Sequence, residues 1–407
     1  MNSHIHQEHN TQYDYIIAGA GCAGLSLLYH ILQSPSLKEK QILVVDQSFQ
    51  KSNDRTWCFW EQGKGDFENL VNKQWEQISI HNDDLNKILP TAPFTYKMIQ
   101  GIDYYHYIID FAKTFSNIHW REAYIVKIET GTQAGIVYFE SGKTAVAPFV
   151  FSSILPEKFQ VSFEAIQQTM GPLATKKPFL WQHFKGIMVE FDLPLFDASV
   201  ARLMDFNVPQ EGATAFMYVL PLNANKALIE YTLFSEKILS KAAYNAALLV
   251  YIDKYITNNY PNVQYKILHE EFGAIPMTHF SFSTRTNFVH PIGTLSGAVK
   301  ASTGYAFQFI QAQAKQIIDQ LVKGLPIDTA MHNTRHRFYD AVLLYILQYR
   351  KMEGKEIFSR LFKKNKASTI FKFLSNSSSF IDDINVMRSL PTRIFLPAAI
   401  SVLFRRS

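Results

Sequence analysis

The chain has 407 residues, of which 47% are hydrophobic and 18% charged, with a formal net charge of +5. That length suffices for one large two-lobed domain or two to three ordinary ones, with ample core, and the composition excludes an intrinsically disordered chain. The charge is modest and lacks basic stretches interleaved with aromatics and glycines, so no nucleic-acid partner is expected.

The first ten residues have no apolar core of the kind a signal peptide needs. Their His4, His6 and His9 read as a solvated tail rather than a metal site, and no metal is expected. Residues 13–45 then follow the strand, turn, helix, strand order of a dinucleotide-binding unit. The turn is "GAGCAG" (19–24), which fits G-x-G-x-x-G. Gly19 makes the tight turn, Gly21 admits a pyrophosphate to the backbone, and Gly24 lets the helix pack close to the strand. Asp46 ends the second strand, where an acid bonds a ribose hydroxyl, but local sequence leaves FAD and NAD open. Cys22 and Cys58 are too few for a disulfide scaffold or a zinc site and indicate a reducing compartment.

"NDRTWCFWE" (53–61) holds Trp57 and Trp60 three residues apart. It reads either as a helix or loop edge buried by its aromatics or as an aromatic wall over a flat or extended ligand. Three short runs, 186–193, 216–222 and 226–234, predict strands of an antiparallel sheet, the last two joined as a hairpin around 223–225. After "GAIPM" (273–277), the stretch "GTLSGAVKASTGYAF" (293–307) predicts a glycine-rich loop and a helix capped by Ser302 or Thr303. That helix start offers amides to an anion. From about 305 onward the spacing is helical. The longest apolar runs, such as "FLPAAISVLF" (395–404), are shorter than the ~20 residues that span a bilayer.

Within "KALIEYTLF" (226–234), Glu230 has no charged neighbour for three positions on either side. Period-two alternation places Leu228, Glu230, Thr232 and Phe234 on one face and Ile229, Tyr231 and Leu233 on the other. An acid among apolar residues is kept protonated by desolvation. The alternative is a structural carboxylate paired with an Arg or Lys of the other lobe. The chain also carries 32 Phe and 20 Tyr, which fits large apolar cavities and a greasy ligand.

Together, "YDYIIAGAGCAGLSLLYHIL", "DRTWCFWE", "YVLPLNANKALIEYT", "GAIPM" and "GTLSGAVKASTGYAF" resemble the lycopene cyclases, specifically the β-cyclases of carotenoid-making bacteria and plants. The resemblance implies an α/β flavoprotein fold of the glutathione-reductase type. Its FAD-binding lobe would comprise 1–110 and 270–325, with a mixed region at 111–269 carrying the antiparallel substrate sheet and a helical C-terminal region at 326–407. It implies non-covalent FAD in its reduced form, with NAD(P)H as reductant, and conversion of lycopene to β-carotene via γ-carotene without net redox change. Gly19, Gly21, Gly24 and Asp46 would then serve the ADP half of FAD. Arg55, Gly293, Gly297, Ser302, Thr303, Gly304 and Tyr305 would serve its flavin side.

Glu230 would be the acid, or its relay, that protonates C2 of lycopene; the flavin itself is the alternative proton source. The cation left at C1 is attacked by C5=C6, and loss of the C6 proton gives the β-ring. Trp57, Trp60 and Tyr231 would contact the substrate. Two departures stand out: Tyr231 replaces a second acid, and Ala301 replaces a proline. The substrate implies a cytoplasmic protein held peripherally at the membrane, and basic residues flank apolar ones at 357–374 and 393–406 as in interfacial helices. A flavin monooxygenase or prenyl reductase acting on an apolar isoprenoid is the alternative within this fold. Gly293-Thr294 replaces the Gly-Asp pair of the monooxygenases. A non-catalytic flavoprotein or carotenoid-binding partner would have no use for Glu230.

Overall fold

Tyr15–Ala18 and Ile42–Asp46 are continuous apolar runs, and such runs suit parallel strands covered on both faces. The computed structural model, which describes residues 11–154, 178–260, 262–279, 286–330 and 334–404, places them in a five-stranded parallel sheet. The order is Val289–Pro291, Phe149–Ser152, Tyr15–Ala18, Ile42–Asp46, Ile118–Glu122. Ile17 and Val44 pack one face against the helices Cys22–Gln33, Gly101–Lys113 and Phe307–Lys323. Ile16, Leu43 and Val45 pack the other face against a four-stranded sheet that includes Ile125–Thr130 and Gly135–Phe139.

The second layer is a seven-stranded sheet in the order Tyr265–Thr278, Phe179–Phe191, Lys226–Ser235, Thr214–Pro221, Val200–Asp205, Gln77–Asn82, Leu85–Pro90. The hairpin expected around 223–225 is present, closed by the Leu222 amide donating to the Lys226 carbonyl. Ile229, Tyr231 and Leu233 face the helix Lys241–Tyr251. The opposite face, with Leu228 and Phe234, is covered in part by the C-terminal helices, from Thr334–Gln348 to Thr392–Phe404. No helix among the described residues is long and apolar enough to cross a membrane.

The sheets do not follow the segment boundaries expected from sequence. Residues 77–90 pair into the seven-stranded sheet, whereas 118–122 and 149–152 return to the parallel sheet. Strand pairing joins segments far apart in the chain, so the layers interleave. Between them lies a small sheet of Thr56–Glu61, Thr95–Gln100 and Lys73–Trp75.

Candidate active site

The first glycine motif is shaped for close approach. Gly19 turns out of its strand at φ +101°, a conformation that favours glycine. A Cβ at Gly24 would lie 1.9 Å from the Gly19 carbonyl oxygen, so the helix packs directly onto the turn. A Cβ at Gly21 would meet open space, and the helix that starts at Cys22 has no side-chain cap. Its first-turn amides are arranged as a dinucleotide phosphate requires. Asp46 reaches across from the next strand and accepts from the Ala20 amide at 2.6 Å, with Lys51 at 3.2 Å.

The second motif presses against the first. Gly293, at φ +65°, would bring a Cβ within 2.6 Å of the Ala23 Cβ, and its amide donates to Gln313. The following segment differs from the sequence expectation. The helix begins at Phe307 with an uncapped start, not at Ser302 or Thr303. Residues 300–305 instead form a turn in which the Gly304 amide donates to the Lys300 carbonyl and Gly304 adopts φ +71°. Ser302 donates to Asp340, which also pairs with the buried Lys300 at 2.8 Å.

A cavity of about 380 Å³ lies between this turn, the Thr56–Glu61 strand and the seven-stranded sheet. Arg55, Trp57, Glu230, Glu271, Gly304 and Tyr305 border it. Two buried polar atoms on its wall, Gln182 Oε1 and Thr303 Oγ1, have no hydrogen-bond partner among the described residues. A Cβ at Gly304 would sit 2.0 Å from that Gln182 oxygen. Unpartnered buried polar groups beside a glycine turn fit the polar edge of a flat ring, such as a flavin.

Glu230 points into this cavity, and the sheet supplies a second carboxyl. Gly186, on the strand between them, pairs with Glu230 on one side and with Glu271 on the other. Residues directly opposite share a face, and Gly186 leaves the space in which the two carboxyls meet. A Cβ there would lie 2.9 Å from Glu271 Cγ. The two carboxyls lie close enough that each shifts the titration of the other. Thr232 Oγ1 donates to Glu230 at 2.6 Å, and Thr56 Oγ1 donates to Glu271 at 2.9 Å.

Burial first, and then the Glu271 charge, push the Glu230 carboxyl up to about 8. Burial pushes Glu271 up to about 7, opposed by the Thr56 bond and the positive charge of Arg55. Among the described residues no Lys or Arg forms an ion pair with either, so the structural salt bridge weighed for Glu230 is absent there. The neighbouring Glu270 shows the contrast: it points to the other face, pairs with Lys185 at 2.9 Å and is held low by that bond.

The aromatic candidates separate. Residues 53–61 contain a strand, and residues three apart on a strand face opposite ways. Trp57 borders the acid-pair cavity, 5.7 Å from Phe307 between ring centroids. Trp60 stacks on Phe371 at 4.5 Å and lines a second, apolar cavity of about 280 Å³ beneath the C-terminal helices. Tyr305 and Thr303 border both cavities, and the Tyr305 hydroxyl stands 3.5 Å from those of Tyr96 and Tyr218. Tyr231 is not at the site: it packs under the sheet near Tyr244, its hydroxyl donating to the Pro209 carbonyl. Glu271, Gly186 and Gln182 escaped the sequence reading. The acid just before "GAIPM" was the available signal for Glu271, but its pairing with Glu230 depends on register across three strands. His4, His6 and His9 lie outside the described residues.

The family model described as lycopene cyclase protein matches residues 14–399. No protein in the curated set matches by sequence. Among solved structures, a flavoprotein/dehydrogenase from Cytophaga hutchinsonii aligns with TM-score 0.56 at 9% identity, covering 98% of this chain and 100% of that one. A p-nitrophenol 4-monooxygenase from Pseudomonas putida aligns with TM-score 0.55 at 12% identity, covering 96% and 98%. A geranylgeranyl bacteriochlorophyll reductase-like protein from Thermoplasma acidophilum aligns with TM-score 0.53 at 10% identity, covering 97% and 96%. At these identities the likeness speaks for the fold alone.

Proposed function

The chain belongs to the lycopene cyclase protein family, and from that premise we propose that it is a lycopene β-cyclase, an isomerase that closes the linear ψ-ends of lycopene into β-rings with no net redox change. The observation that carries this reading is the Glu230 carboxyl, held protonated by burial and by Glu271 at the wall of a cavity rich in aromatic and aliphatic side chains. A neutral acid in an apolar site is what alkene protonation needs.

Glu230 gives its proton to C2 of the terminal double bond. The tertiary cation at C1 is attacked by C5=C6, and loss of the C6 proton leaves the β-ring. The rings of Trp57 and Tyr305, which border the same cavity, offer their π faces to the cation. The first-turn amides after Gly21 and the Asp46 region would hold the ADP half of FAD, and Gly293–Gly297, Thr303, Gly304 and Arg55 its flavin half. Bound and reduced, with NAD(P)H as the source of electrons, the flavin supplies negative charge that balances the carbocation.

The substrate reaches the site from a bilayer. Helices Phe380–Arg388 and Thr392–Phe404 expose Ile381 (72%), Leu396 and Leu403 (56%), with Arg388 and Arg393 beside them. Met387, Leu396 and Ala399 of these helices border the apolar cavity, and Thr303 and Tyr305 border both it and the acid-pair cavity. Basic residues flanking an apolar face suit a bilayer containing anionic lipid. The test is anaerobic incubation with lycopene liposomes and reduced FAD: β-carotene should form, and Glu230→Gln should lower turnover by about 10²-fold or more while FAD binding persists. Near-normal turnover in that variant would remove Glu230 from the chemistry.

A further inference from the structure

Acid-initiated cyclisation uses one carboxyl to start the reaction, and the site holds two. Glu271 is 3% exposed, borders the same cavity, and meets Glu230 across Gly186. Burying a carboxyl without an ion-pair partner is costly. Placing two such groups face to face across Gly186 gains nothing for the fold that one apolar pair would not. We propose that Glu271 is the second catalytic carboxyl of the site: it shares a single proton with Glu230 and takes up the proton that leaves C6 when the ring is completed.

The inference rests on the cyclase reading and adds the terminating base to it. The surroundings separate the two roles. Each carboxyl accepts one threonine hydrogen bond, but Glu271 also feels the positive charge of Arg55, which outweighs the opposing charge of Asp54, the partner of that guanidinium at 2.8 Å. Of the two, Glu271 is therefore the better carboxylate and Glu230 the better acid.

The proton balance closes. A C2–H bond forms as the Glu230 O–H bond breaks, and the C5=C6 electron pair makes the C1–C6 bond. The C6–H bond then breaks, its electron pair restores C5=C6, and its proton goes to Glu271. In the closed ring C2 and C6 are both bonded to C1, so the proton is gained and lost on adjacent sides of one carbon. Transfer of that proton from Glu271 to Glu230 resets the pair, and between turnovers the shared proton exchanges with water.

The test compares wild type, Glu271→Gln and Glu271→Asp with lycopene liposomes and reduced FAD. In Glu271→Gln, turnover falls by about 10²-fold or more, while KM and FAD binding stay within about twofold. The residual product shifts toward rings whose double bond lies elsewhere, because the cation loses a different proton. Glu271→Asp keeps the β-ring product. β-Rings alone from Glu271→Gln, at a rate near that of wild type, would overturn the proposal. Infrared titration of the wild-type protein needs no variant: carboxyls sharing a proton lose their carboxylic-acid C=O absorbance in two steps above about pH 5. A single step would also overturn it. Wild-type protein that makes no ring sinks the cyclase reading instead, and the infrared steps still decide whether the pair shares a proton.

Discussion

Replacing Glu230 by Gln should stabilise the protein, and increasingly so as the pH rises. Burial and Glu271 together move this carboxyl from 4.5 to about 8. A carboxyl raised on folding binds its proton more tightly in the folded state. Its contribution is therefore intact below the unfolded value near 4.5 and is lost as pH rises through the folded value near 8. At about 1.4 kcal/mol per unit, the full shift is a penalty on the order of 5 kcal/mol once both states are ionised. Gln keeps the size of the side chain and can still accept from Thr232, but it carries no such penalty. Urea unfolding followed by tryptophan fluorescence, at intervals between about pH 5 and pH 9, reads the difference. The account expects the Gln variant to gain several kcal/mol on wild type across that range. Parallel stability curves would refute the argument that Glu230 is held protonated by its surroundings.

Other predictions follow from the same geometry. Gly186→Ala puts a methyl 2.9 Å from Glu271 Cγ and 3.2 Å from Leu228 Cδ1. It should part the carboxyls and lower turnover by about tenfold to a hundredfold with FAD binding kept, as steady-state kinetics and flavin titration will show. Tyr231→Phe removes only a 3.4 Å bond to Pro209 on the far face of the sheet. Turnover should be unchanged and stability altered by no more than about 1 kcal/mol. Ile381→Glu combined with Leu403→Glu removes two exposed apolar anchors. Sedimentation with anionic liposomes should weaken by about 10²-fold or more, while detergent-solubilised lycopene is still converted.

What was legible in the sequence was local. The first glycine motif, its strand and its helix lie within a few dozen residues, so spacing alone defined them. The face of Glu230 followed from the two-residue period of one strand. Its partner did not, because Gly186, Glu230 and Glu271 sit on three strands whose register is set by pairing across the whole sheet. Trp57 and Trp60 form one wall only if the segment is helical. Its pairing with Thr95–Gln100 makes it a strand and sends them to different cavities. Ser302 had the look of a helix cap, but the buried Lys300–Asp340 pair and the positive φ of Gly304 hold residues 300–305 as a turn, and the helix starts later. The discontinuous FAD lobe was expected, but which strands cross between the layers was hidden for the same reason as the acid pair: both are products of long-range strand pairing.

The central claim is that a protonated carboxyl starts a redox-neutral ring closure. The most direct measurement is anaerobic turnover of lycopene in liposomes with reduced FAD in D₂O, read by chromatography and mass spectrometry. The account predicts β-carotene carrying one deuterium per ring and no net consumption of reduced flavin. Unchanged lycopene, or a product with two added hydrogens and oxidised flavin, would contradict it.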